Sequence, residues 1–164
     1  MILLETPDEI GGEELLIRYL GKPGEIVQSN DGPIANISVF HPMTRKIVGT
    51  DFLEVFGLSV NRKLWLDEEQ ILELGIHVME LKNKHNQNIG SLSVVRLCGR
   101  VQFSVSILST QDLKIRKSEP PPHHADIIGW PTPVHRKPSE QSKINGIKLF
   151  FVKNSVVVPF QVLE

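Results

Sequence analysis

The sequence predicts an α+β fold: an antiparallel sheet of about four to six strands with two helices packed on one face. Three observations predict it. Residues 67–84 carry helix signals at both ends, residues 101–107 alternate strictly between apolar and polar, and residues 139–151 repeat apolar side chains at helical spacing ahead of a β-branched run. Strand, helix, strands, helix, strand is also the order of a ferredoxin-like unit, which gives the expected topology. The 164 residues suit one domain, and surface scaling lets such a domain bury roughly 69% of what its unfolded chain exposes. Residues 1–32 are expected to form a short N-terminal helix and loop, and residues 33–164 a single α+β domain.

In chain order, Thr6-Pro7-Asp8-Glu9 has the form of a helix start, cut short by Gly11-Gly12. The run Glu13 to Leu20, apolar at Leu15, Leu16, Tyr19 and Leu20 and stopped by Gly21, is read as the short helix. Polar turn-formers from Lys22 to Gly32 make a surface loop, and Ile34 to Phe40, closed off by Pro33 and Pro42, reads as a strand. Lys46 to Val60 is partly extended, its apolar residues fitting neither period. Asp67 to Lys84 is helical: Asp67 and Gln70 form a reciprocal cap, Glu68 and Glu69 suit the positive end, and Ile71, Leu74, Val78 and Leu81 make one apolar stripe. Gly75 in its middle costs about 1 kcal/mol relative to alanine, which implies that another element passes close over it. Leu92-Ser93-Val94, the alternating run with Val101, Phe103, Val105 and Ile107 inward, and Leu113 to Ile115 read as a three-stranded meander, with Cys98-Gly99 as its first turn. Six of the eleven prolines fall between Glu119 and Pro138, framing Ala125 to Trp130 as a further strand. Ser139 caps a second helix with Ile144, Ile147 and Phe151 on one face, and Val156 to Val158 form a last strand.

Eighteen Lys and Arg against nineteen Asp and Glu leave a net charge of −1, so no global field points to nucleic acid or an anionic membrane. The single cysteine, Cys98, excludes an internal disulfide framework and a thiolate-only zinc site. Met1-Ile2-Leu3-Leu4-Glu5 is too short and too acidic for a secretory core, and no apolar run is long enough for a membrane helix. The expected location is the cytoplasm, away from membranes. Walker, dinucleotide-binding, nucleophile-elbow and zincin patterns are missing from the sequence, and no cofactor is named by it.

The cluster with metal or acid–base potential is His123-His124-x-Asp126, with His135 nine residues further on. On an extended chain His124 and Asp126 share a face while His123 points away, so His124 and Asp126 are the candidate catalytic pair. The competing reading is a polar turn whose histidines bond the backbone. His77 with Glu73 and Glu80 reads as an ordinary helix-surface group. Cys98 lies between Arg96 and Arg100, cations that would lower a thiol pKa, but with no His-Asp or His-Asn pairing legible it reads as a small hydrophobe. Lys114, Arg116 and Lys117, with Arg136 and Lys137, form local basic patches that suit either a nucleic-acid contact or solvated strand edges. Trp130, held in a stiff proline frame, is the candidate anchor for a protein partner.

Ile37-Ser38-Val39-Phe40, the helix Glu69-Gln70-Ile71-Leu72-Glu73-Leu74-Gly75 and His124-Ala125-Asp126-Ile127-Ile128-Gly129-Trp130-Pro131 fall in an order that resembles a group of small uncharacterised bacterial proteins. The likeness covers about residues 33 to 160, departs from that group over His41 to Trp65, and implies a bacterial cytoplasmic protein. It directs attention to His124 and Trp130 and brings no activity with it.

Three functional classes follow. The leading expectation is a non-enzymatic binding or accessory subunit of a bacterial cytoplasmic complex, with a protein partner or a second copy of itself. Next is a small metal-assisted hydrolase or nuclease using His124 and Asp126. The third is a nucleic-acid-binding component working through the basic patches.

Overall fold

Residues 6–160 are described by a computed structural model, and the Met1 to Glu5 opening lies outside them. The first element corrects the sequence reading. Leu15–Leu20 is a strand, β1, and it runs through the middle of the sheet rather than forming a peripheral helix. Leu16, Ile17, Tyr19 and Leu20 are all buried. A strand covered on both faces reads as a continuous apolar run, and over six residues that run mimics a helical stripe. β1 lies ahead of residue 33 and pairs with β5 and β6 in the main sheet.

The remaining strands are β2 (Ile26–Ser29), β3 (Gly32–Ala35), β4 (Met43–Lys46), β5 (Phe52–Arg62), β6 (Gly99–Ser104), β7 (Lys114–Lys117), β8 (His124–Ile128), β9 (Val134–His135) and β10 (Val156–Pro159). The main antiparallel sheet has the order β10-β6-β1-β5-β8-β7, with β4 and β9 flanking the first half of the long strand β5; β2 and β3 form a separate ribbon. The expected strand over Ile34 to Phe40 stops at Ala35, where the Asn36 side chain accepts from the Ser38 N–H and turns Ile37–Phe40 into a 3₁₀ helix. The expected meander does not form. Leu92 to Val94 pairs with no strand, Ser104 caps a 3₁₀ turn that begins at Val105, and β6 and β7 lie on opposite sides of the sheet order.

Two helices complete the fold, α1 (Glu68–Asn88) and α2 (Ser142–Lys153). Alternation along β1 decides where they sit. Leu16 and Leu20 belong to the larger core with Ile144, Ile147 and Phe151 of α2, whereas Ile17 and Tyr19 belong to a second core with Ile71, Leu74 and Met79 of α1. The helices therefore cover opposite faces of the sheet, which corrects the single-face expectation and removes the ferredoxin-like topology with it. Around Phe151 the larger core is aromatic: Phe40, Phe103 and Trp130 pack on its ring.

The cap predicted for α1 is present, with Asp67 accepting from the Gln70 N–H at 2.8 Å and Gln70 returning the bond at 3.0 Å. The close passage implied by Gly75 is made by β1, since a Cβ there would meet the Tyr19 ring at 2.6 Å. Of the predicted stripe, Ile71 and Leu74 are buried, but Val78 is half-buried and Leu81 exposed. The stripe runs past the end of its core.

Candidate functional site

The site begins with a gap in the ladder. β1 pairs with β6 along its whole length but with β5 at two positions, Leu16↔Arg62 and Ile17↔Asn61, after which β1 and β5 separate. The Arg18 side chain spans the opening, donating from Nε to the Val39 carbonyl and from Nη1 to the Ser59 carbonyl, each at 2.6 Å. Beside this seam, on the α1 face, lies a cleft of about 520 Å³. Its floor is Arg18 and Tyr19 of β1, Ser59 and Asn61 of β5, and His124 of β8. Leu74, His77, Val78, Leu81, Lys82 and His85 of α1 make one wall, and Ser91, Ser93 and Val95 of the following segment close the end. Asn83 fixes that segment, donating to the Val95 carbonyl and accepting from the Val95 N–H. Volumes of about 300–1,000 Å³ are usual for small-molecule sites.

The lining carries Arg18, Lys22, Lys82 and three histidines, and no carboxylate among the described residues. Glu25, outside the lining, attracts Arg18 and Lys82, and its Oε1 accepts from the Gly21 and Lys22 N–H groups at 2.9 Å. Lys82 keeps contact with water at the cleft mouth. Even so, the protein packed around it, with Arg18 and Lys22 acting against Glu25, pulls its ammonium down to about 8. Burial also lowers Arg18, against the pull of Glu25. Tyr19 is held protonated by its burial and donates to the Ile71 carbonyl at 2.7 Å.

The predicted pair His124 and Asp126 does share a face of β8, but each is engaged by its cross-strand neighbours. His124 lies opposite Asn61 in β5, and its Nδ1 contacts the Ser118 hydroxyl on the other side. Asp126 lies opposite Ser59 and Arg116, 3.5 Å from the Ser59 hydroxyl and 3.9 Å from the guanidinium. His124 lines the cleft and Asp126 sits two pairs further along. His123 lies just before β8 with a φ of 61°, so it does not alternate with His124 along an extended strand; it is buried with its Nδ1 3.1 Å from the Arg62 carbonyl and does not line the cleft. His135 pairs with Phe52 on β9, away from the other two. Among the described residues no three His, Cys, Asp or Glu side chains gather as a metal site would require.

Trp130 corrects another expectation. It is 3% exposed, donates from Nε1 to the Ile127 carbonyl at 3.0 Å and stacks on Phe151, so its surface is spent in the core. The basic residues are dispersed. Lys117 is tied to the Thr6 carbonyl, Asp8 and Glu119, and Arg116 faces Asp126, whereas Lys114 continues the β7 edge; Arg136 and Lys137 follow β9, where the Arg136 N–H bonds the Asp51 carbonyl. Burial and Glu25 push the Cys98 thiol up, against the pull of Arg96. His77 stands 4.0 Å from Glu80, and also lines the cleft.

A second polar cluster is structural. Arg62, fully buried, pairs with Glu14 at 2.7 Å and donates to the Thr6 hydroxyl and the Pro7 carbonyl. Thr6 passes the chain on to Glu119, which also accepts from the His123 N–H. These bonds clamp the N-terminal segment to β5 and to the loop before β8.

The sequence reading missed Arg18, Lys82, Ser59 and Asn61. Arg18 stands out in the sequence only as an arginine in an otherwise apolar run and Lys82 only as the lysine after Leu81, signals that mark no role, and nothing marks Ser59 or Asn61. Compared with known protein families, curated proteins and solved structures, the chain matches none.

Proposed function

We propose that this is a binding protein whose ligand site is the cleft between α1 and the sheet floor of β1, β5 and β8. The supporting observation is the composition of that cleft: an apolar wall, Leu74, Val78 and Leu81, faces polar groups, Asn61, His124 and Arg18, all carried on regular elements. Apolar walls with a few converging polar groups are the usual make-up of small-molecule sites. This keeps the binding class expected from the sequence and moves its site from Trp130 to the cleft. In an NMR titration with a small-molecule fragment library, bound fragments are expected to shift the Asn61, Val78, Lys82 and His124 amides together. Hits scattered over the surface with these amides unmoved would overturn the reading.

A second reading, contact with single-stranded nucleic acid, has one supporting observation. Phe52 and Phe56 stand exposed on β5, the Arg45 guanidinium lies 5.3 Å from the Phe56 ring centre, and Arg136 and Lys137 follow on from His135 beside Phe52. Exposed rings beside cations are a stacking platform for bases. Oligonucleotide affinity that falls steeply with salt and is lost in Phe56→Ala supports it; salt-independent or absent binding removes it.

A further inference from the structure

We infer that the cleft takes an organic anion, with a carboxylate, sulfonate or phosphate head seated between Arg18 and Lys82 and an apolar body lying along Val78 and Leu81. This rests on the cleft being the binding site and adds the chemistry of what it holds.

The head is argued from the cations. Arg18 is positioned by two backbone carbonyls, through Nε and Nη1. Its Nη2 makes no hydrogen bond among the described residues, and Arg18 is one of the residues that line the cleft. A guanidinium fixed through two nitrogens, with donors left over, is pre-organised for an anion. Lys82 forms no ion pair among the described residues, and Arg18 and Lys22 both act on it repulsively. Unneutralised cations facing one concavity repel each other, and an anion between them relieves that repulsion. Among the described residues the lining supplies no carboxylate to do so; Glu25, outside the lining, attracts both cations and offsets part of the repulsion.

The body is argued from α1. Val78 packs on the edge of the core that holds Ile71 and Leu74, Leu81 one turn on is exposed, and both form the wall beside Lys82. A ligand of head alone would leave this apolar wall wet. Inorganic phosphate or sulfate is therefore expected to compete weakly.

The probe is anilinonaphthalene sulfonate, compared by fluorescence titration with phenylnaphthylamine, the same skeleton without the sulfonate. The sulfonate dye is expected to bind about tenfold more tightly, which corresponds to about 1.4 kcal/mol. Lys82→Met, which keeps the aliphatic stem, is expected to bring that ratio to within about threefold, as is high salt. Val78→Trp fills the cleft and is expected to abolish both dyes, with Leu81→Trp as the alternative plug on an exposed position should Val78→Trp fail to fold. Equal binding of the two dyes, both lost on plugging, would overturn the anion inference while leaving the cleft as the site. Dye binding that survives both plugs, or no binding of either dye, would overturn the cleft reading and this inference together.

Discussion

Replacing Arg62 by methionine keeps most of the volume of the side chain and removes the guanidinium that Glu14 faces across 2.7 Å, with the two side chains 1% and 7% exposed. Glu14 would then be buried without its cation, and breaking a buried pair by deleting one partner costs about 3–5 kcal/mol. The Thr6 hydroxyl and the Pro7 and Glu9 carbonyls lose donors as well, which places the loss toward the upper part of that range. A domain of this size loses about 2–4 °C per kcal/mol, so the thermal midpoint is expected to drop by about 6–20 °C. Urea titration reads the same loss as a lower midpoint with an unchanged slope. Adding Glu14→Leu to Arg62→Met removes the stranded charge and is expected to recover about 2 kcal/mol. A loss below about 1 kcal/mol for the single variant, or a double variant no more stable than the single, would refute the clamp.

Trp130→Ala is expected to cost about 3–5 kcal/mol in urea unfolding, as a core aromatic does; unchanged stability would restore the partner-anchor expectation. Burial lowers His123 below its ordinary value of 6.5, so the fold holds the neutral ring. The unfolded chain takes up that proton first, and stability is expected to fall as pH drops from 6.5 toward the depressed folded value, as urea midpoints will show. His123→Asn should flatten this dependence more than a change at His41, which burial and Lys148 also lower; no difference between the two variants would count against His123. Gly75→Ala places a Cβ 2.6 Å from the Tyr19 ring and is expected to cost about 1–3 kcal/mol through overpacking. A neutral or stabilising result by thermal denaturation would show that Tyr19 yields freely.

The elements readable from sequence were those with one covered face. α1 announced itself through Asp67 and Gln70 at its start, and α2 through Ile144, Ile147 and Phe151. β1 was misread because both its faces are covered, and the period of the pattern disappears when both faces are apolar. The helices were placed on one face for a related reason: which side of a sheet a helix takes is set by pairings between distant residues, such as Leu16 with Phe103, and local spacing does not encode them. His124 was legible as a candidate because imidazole draws attention. Arg18 was not, because its role comes from the separation of β1 and β5, a property of two strands that are far apart in sequence.

That separation divides the sheet mechanically. β10, β6 and β1 form one panel and β5, β8 and β7 another. Between them run two residue pairs, the bond from the Lys63 N–H to the Leu15 carbonyl, the ion pair of Glu14 with Arg62 and the bond from Arg18 to the Ser59 carbonyl. α1 packs on the first panel through Tyr19 and Ile17, while Asn61 and His124 ride on the second. On the opposite face one core holds the panels together, with Leu16, Val101 and Phe103 of the first meeting Leu58, Val60 and Ile127 of the second. The cleft is thus an opening on one side of a sheet that is closed on the other, and Arg18 stands where the two sides meet.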